Sequence, residues 1–159
     1  MIGRSKIKTD NVEVLDQEIM EFVINNEAFG IDVDMIREIM TVQEVTPAAL
    51  SHPRVEGLFK PRDILYTVID LPSFIKNKEI ERTDKDLFIL TDYKGMHIAY
   101  RVNAVKGIVR VNKSAIQKPD KSVGGQTQRI TKGIISHNGD LITLLDFDQI
   151  IGDIVPLEN

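Results

Sequence analysis

Residues 55–75 read VEGLFKPRDILYTVIDLPSFI. Val55, Leu58 and Phe59 lead into a charged bend, Lys60-Pro61-Arg62-Asp63, and residues 64–71 lead out of it. Pro61 suits a turn because its φ is preset and its nitrogen has no proton to donate. The outgoing run is rich in β-branched and aromatic side chains, which fit a pleated, half-buried surface. The stretch therefore predicts two strands meeting at a bend, the second stopped by Pro72. The pattern returns 76 positions later in residues 131–151, TKGIISHNGDLITLLDFDQII. Gly57 falls on Gly133, Thr67 on Thr143, Asp70 on Asp146 and Ile75 on Ile151. Apolar falls on apolar at Leu58/Ile134, Phe59/Ile135, Leu65/Leu141, Val68/Leu144 and Ile69/Leu145. Pro61-Arg62-Asp63 lies over His137-Asn138-Gly139, and Asn-Gly is a strong hairpin-turn dipeptide. Two copies argue for two similar halves, since a solenoid needs three or more.

Outward from this stretch the repeat continues. Ile19 to Ile24 is a strand candidate, Asn25-Asn26-Glu27 a turn, and Ala28 to Val33 the returning strand. Gly30 inside that strand marks a bulge or a close approach. Residues 34–40 predict a short helix or turn capped by Asp34, with Met35, Ile36, Ile39 and Met40 on one face. A strand over 42–46 follows, ended by Pro47. Leu87 to Asp92, the Lys94-Gly95 turn and Met96 to Val102 repeat the opening hairpin, with Val102 over Val33 at an offset of 69. Residues 146–151 predict a closing helix with Asp146 or Asp148 at its start. Residues 1–17 read as a flexible leading segment, the charge-rich 76–86 as the link between halves, the Gly124-Gly125 region as a loop, and 155–159 as a tail. The fold class predicted is all-β: about ten short strands in two similar five-stranded barrels, whose closure removes exposed edges.

Composition narrows the function. The chain has 159 residues, 42% hydrophobic and 28% charged, with no cysteine and a net charge of −4. That excludes disulfides and thiolate chemistry, and gives no electrostatic reason to bind nucleic acid. No apolar run approaches a membrane span and the N-terminus lacks the apolar core of a signal peptide. No phosphate-loop glycine pattern, zinc-protease histidine spacing or serine elbow is present, so neither a cofactor nor a metal is expected. Asp70 and Asp146 end matched strands, and each is read as a cap on the backbone that turns after it, ahead of an acid–base pair. A binding module is favoured over an enzyme.

Phe29-Gly30-Ile31-Asp32, Ile36-Arg37-Glu38-Ile39, Val55-Glu56-Gly57, Arg62 and Val68-Ile69-Asp70-Leu71 together resemble the CheW-like chemotaxis coupling family over residues 18–154. The resemblance implies two SH3-like barrels around a shared hydrophobic core. It implies a non-catalytic cytoplasmic adaptor, recruited to receptor arrays, that bridges chemoreceptor tips and the regulatory domain of the CheA histidine kinase. It carries partner contacts onto Arg62, Ile36 and Glu38, with Gly57 shaping the hairpin and Val33 and Val42 flanking a groove between barrels; Val102 and Val105 are weaker groove candidates. The family bend is Arg-Gly after an aliphatic residue. Here it is Pro61-Arg62-Asp63, closer to the coupling domain of CheV-type proteins; Asp63 joins the partner-contact candidates, and the contacts of the family's Arg-Gly bend are not carried over unchanged. The alternatives are a CheV-type coupling domain without its receiver, a small-molecule pocket between the barrels using Asp70, Asp146 or a histidine, and, last, an oligonucleotide-binding barrel.

Overall fold

The structure is a computed structural model that describes residues 16–48, 52–119 and 125–154. The expected leading segment lies outside these residues up to position 15, and the tail lies outside them entirely. Ten strands are described: β1 Asp16–Ile24, β2 Glu27–Asp32, β3 Ile36–Thr41, β4 Val55–Phe59, β5 Tyr66–Asp70, β6 Leu87–Tyr93, β7 Met96–Val102, β8 Ala104–Asn112, β9 Thr131–His137 and β10 Asp140–Leu145. Three helices join them: α1 Leu71–Lys76, α2 Gly125–Arg129 and α3 Phe147–Ile154.

Two-residue turns close three of the hairpins. Asn25 and Asn26 have φ of 53° and 68°, Lys94 and Gly95 52° and 78°, Asn138 and Gly139 51° and 85°. Paired positive φ values match the right-handed twist of the flanking strands, which is why Asn and Gly stand there.

The strands form two five-stranded sheets, ordered β8-β1-β2-β10-β9 and β3-β6-β7-β5-β4. Matched strands replace one another position by position between the two orders. Thr46 bridges Leu58 and Gln117 bridges Ile134, so the chain leaving each outer strand is laid against the opposite edge. The result is two SH3-like barrels, as the repeat predicts. They are not the two sequence halves, however. Each barrel takes its first two strands from one repeat and three from the other. The expected link at 76–86, whose first residue Lys76 ends α1, consequently runs within the second barrel, from α1 to β6, and not between barrels.

Alternation along each strand sends neighbouring side chains to different cores. Val68, Phe88, Leu90 and Ala99 fill the second barrel with Phe59 and Tyr66. Ile19, Val109, Val111, Ile135, Ile142 and Leu144 fill the first. The opposite faces meet in a shared core built on Phe22, Phe29, Ile69, Ile89, Tyr100 and Phe147, with α1 and α3 plugged into it through Phe74 and Ile150. Each fully buried side chain of this size contributes about 1.5–3 kcal/mol. Gly30 is a close approach, since a Cβ there would sit 2.6 Å from Ile19 Cγ2 and 2.9 Å from Leu144 Cδ2.

Three local expectations fail for identifiable reasons. Residues 36–41 are a strand, not a helix; only Val33–Met35 is helical, a single 3-10 turn capped by Asp32 in place of Asp34. A bulge at Arg37 puts Ile36 and Ile39 on the same face three residues apart, which mimics helical spacing. The expected strand at 42–46 is reduced to the Thr46–Leu58 bridge. Leu71–Lys76 folds as a helix because Asp70 caps it through Ser73 N at 3.2 Å and Pro72 sits in the first turn. The caps at Asp70 and Asp146 otherwise match the prediction; Asp146 Oδ1 accepts from Gln149 N at 3.1 Å.

Candidate partner-binding site

The bend over residues 60–65 is held between β4 and β5. From it Arg62 reaches back to β3 and forms an ion pair with Glu38. Arg62 stays largely exposed and Glu38 half-buried, and Asp63 beside them has no hydrogen bond or ion pair among the described residues. Leu65 closes the bend with 53% of its surface exposed. Two sequence-predicted contact residues, 24 positions apart, are thus brought together across the bend and β3, with an unpaired carboxylate and an apolar side chain alongside. An exposed guanidinium whose fork is only partly engaged can take a second carboxylate.

The other predicted residues divide. Gly57 is buried, has φ of +151°, and leaves no room for a Cβ against the Thr46 carbonyl, whose carbon would lie 2.9 Å away. Its role is to let β4 pass the returning chain, consistent with the expected backbone explanation. Ile36 is half-buried against the shared core and Val42 is half-buried against the core of the second barrel. Val33 is half-buried in the 3-10 turn. Val102 is fully buried and offers nothing to a groove, whereas Val105 is partly exposed at the edge of the shared core. Sequence reasoning passed over Leu65 as a surface residue. Its signal was available: Leu65 falls on Leu141, and Leu141 is also exposed, at 63%.

Beneath the far end of the β4–β5 hairpin lies a charge network that no motif announced. Arg101 is buried and grips Glu56 with two nitrogens, at 2.6 and 3.0 Å, and Asp86 with a third at 2.8 Å. Arg82 Nε meets Asp70 Oδ2 at 2.9 Å. Burial works against the Arg101 charge, yet the hydrogen bonds it donates to Glu56 and Asp86 outweigh it and hold the guanidinium above its usual value. Thr83 and Asn103 complete the shell of Asp86. Removing one partner from such a set leaves an uncompensated buried charge. On the β6–β7 turn, Lys94 pairs with Asp148 at 2.9 Å; that hydrogen bond raises the Lys94 value and lowers that of Asp148, and Tyr93 contributes in the same directions. Among the described residues no group of three or more His, Asp or Glu side chains is placed to hold a metal ion.

Two interleaved SH3-like barrels on one core, with an exposed charged bend, define a double-barrel interaction domain. Residues 18–155 match the CheW-like domain, and the chain belongs to that family. It is 27% identical over 141 residues to the chemotaxis protein CheW of Thermotoga maritima, covering 89% of this chain and 91% of that protein. It is 23% identical over 158 residues to the chemotaxis protein CheV3 of Helicobacter pylori, covering 93% of this chain and 50% of that one. Its fold is similar to the crystal structure of the scaffolding protein TtCheW from Thermoanaerobacter tengcongensis, with a TM-score of 0.74, 19% identity, and 82% and 89% of the two chains covered.

Proposed function

We propose that this protein is a coupling adaptor of bacterial chemotaxis. It joins chemoreceptors to the regulatory domain of a CheA-type histidine kinase and acts by binding, not by catalysis. Its working place is the cytoplasmic side, at receptor arrays. The family match over 18–155, with chemotaxis proteins CheW among its relatives, carries this reading. The contact surface is the bend: Arg62 and Glu38 supply polar specificity, Asp63 a free carboxylate, and Leu65 the apolar centre that a polar rim surrounds. Ile36, Val33 and Val42, half-buried in or beside β3, are the further contact candidates.

Calorimetric titration with the regulatory domain of a cognate CheA-type kinase tests it. Saturable binding in the micromolar range, about −8 kcal/mol, is expected. Arg62→Ala should weaken it roughly 5- to 100-fold, the loss of about 1–3 kcal/mol typical of a charged contact. An exposed ion pair contributes only about 0.2–1 kcal/mol to folding, so the melting temperature should fall by no more than roughly 4 °C. Unchanged binding would remove the bend from the interface. Failure to bind either the kinase domain or receptor tips would sink the adaptor reading.

A second reading keeps the same activity inside a CheV-type protein, which joins a coupling domain to a phosphorylatable receiver. The match to CheV3 over half of that protein, and the Pro61-Arg62-Asp63 bend, favour it. A receiver encoded in the same reading frame would decide for it.

A further inference from the structure

The Arg62–Glu38 pair sits at one end of the second barrel, and strand alternation shows what shares that end. Glu38 stands opposite Leu90, Leu90 opposite Ala99, and Ala99 beside Val68, a row whose apolar members fill the barrel. Two residues nearer the bend, the same face carries Asp92 opposite His97. The β5–β7 register, extended by one residue, sets Tyr66 beside His97, and the two rings meet edge to face with centroids 5.7 Å apart. Tyr66 is the first strand residue after the bend, and Ile64 of the bend packs on the same core. The bend therefore closes over the end of the barrel that this second row lines.

The row is ionic and reaches solvent. Asp92 Oδ2 lies 3.6 Å from Arg37 Nη1 and 3.6 Å from His97 Nε2, so a permanent cation and a titratable group share one oxygen. Arg37 is the extra residue of the β3 bulge, immediately before Glu38. The groups that face His97 are thus Asp92 from β6, Arg37 of β3 beyond it and Tyr66 from β5, with the Arg62–Glu38 pair one row away. The His97 side chain is 33% exposed, which leaves the imidazole open to protons from solvent. With a neutral imidazole Asp92 has one cation beside it; with an imidazolium it has two.

A partner that docks on the bend and sets a carboxylate on the Arg62 fork adds negative charge beside this row and removes water from it. Ion pairs strengthen as the local dielectric falls, and imidazole is the side chain whose ordinary value lies nearest neutrality. We propose that His97 belongs to the partner-contact face and takes up a proton as a partner carboxylate docks, so that binding tightens as pH falls. The proposal rests on the coupling reading and supplies the electrostatics of that same surface. Its sign follows from linkage: a group that holds its proton more tightly in the complex than in the free protein makes affinity rise as pH falls through those two values.

Calorimetric titration of the full chain with the CheA-type regulatory domain, at about pH 6 and about pH 8 and in two buffers of different ionisation heat, tests it. An imidazole whose value rises by about one unit on association gains about fivefold in affinity between those two pH values. The buffer pair should show net proton uptake near neutral pH. His97→Gln should remove both effects, its two affinities agreeing within about twofold, because the amide does not titrate. Asp92→Asn takes the carboxylate away from His97 and should shrink both effects. Imidazole NMR signals followed across the same pH range give the His97 titration directly, and its midpoint should lie higher in the complex than in the free protein. Binding that Arg62→Ala weakens but pH leaves flat would overturn the proton linkage and keep the coupling reading, as would a pH dependence undiminished in His97→Gln. No binding at either pH would overturn both.

Discussion

Gly57→Ala and Gly133→Ala make a pair of perturbations at matched positions whose costs differ for reasons visible in the structure. At Gly57 a new Cβ meets backbone: it would penetrate the Thr46 carbonyl oxygen and lie 2.9 Å from the carbonyl carbon and 3.0 Å from Pro47 Cα. The residue also holds φ of +151°, which L side chains rarely adopt. Overpacking costs about 1–3 kcal/mol and a forced backbone conformation another 1–3, so Gly57→Ala should lose about 2–6 kcal/mol. At Gly133 the nearest atom is Ile116 Cγ2 at 2.5 Å, a side-chain methyl that can move, and φ is not in the strained region. About 1–2 kcal/mol is expected there. At about 2–4 °C per kcal/mol for a chain of this length, melting should drop by roughly 4–24 °C for Gly57→Ala and by roughly 2–8 °C for Gly133→Ala. Thermal and urea unfolding give both numbers. Kinase binding measured well below the melting range, and corrected for the folded fraction, then separates geometry from contact. If Gly57→Ala melted within two degrees of the parent and still lost binding, Gly57 would be a contact and the close-approach argument would fail.

Tyr100 is fully buried and its hydroxyl has no hydrogen-bond partner, so Tyr100→Phe should be neutral or stabilise by about 1 kcal/mol; destabilisation beyond that by urea unfolding would mean the hydroxyl is satisfied. Arg101→Met leaves Glu56 and Asp86 buried without their cation and should cost about 3–5 kcal/mol, and adding Glu56→Gln should recover part of it; a cost below 1 kcal/mol would show the network is dispensable. His52 is held below its ordinary value, chiefly by burial, and its Nδ1 accepts from Arg54 N at 3.0 Å. The unfolded chain therefore binds the proton at higher pH than the folded one, so stability should begin to fall as pH drops below about 6.5. His52→Gln should flatten that limb of the pH–stability curve, and an unaltered limb would assign it to another group.

The hairpins, their two-residue turns, the duplication and the capping aspartates were legible because each is a local signal. Asn-Gly dictates its own turn wherever it stands. Strand partnership was not legible in the same way. The repeat says which residues are equivalent, but β3 is followed by nothing that says it will pair with β6 of the other copy. The i, i+3 spacing of Ile36 and Ile39 was genuine and its cause was a bulge at Arg37; the same bulge recurs at Lys106, between Val105 and Ile108. Arg62 and Glu38 were legible singly, through the family resemblance. Their pairing was not, because it depends on how the bend folds back over β3. The Arg101 network draws on residues from 56 to 103, and no sequence window contains it.

Interleaving also explains how two matched barrels come to carry different charge at the same backbone positions. Because each barrel borrows strands from both repeats, neither copy can unfold without opening the other, and the fold holds both to one backbone plan. Side chains at matched positions are under no such constraint. At the bends, one copy presents Arg62 and Asp63, and the other presents Asn138-Gly139 next to an exposed Leu141. At the hairpin bases, one barrel buries Glu56, Asp70, Asp86 and Arg101 as a closed set, and the other leaves Lys132, Asp146, Gln17 and Asp32 lining an open cleft. A closed ionic set contributes little net stability over an apolar one, but it fixes which strands meet. Its counterpart, relieved of that task, keeps only Asp146 of the matched carboxylates, with Lys132 and Gln17 at the positions of Glu56 and Asp86. The symmetry of the backbone therefore locates the difference in function: it lies where matched residues carry different charge, not where the chain path differs.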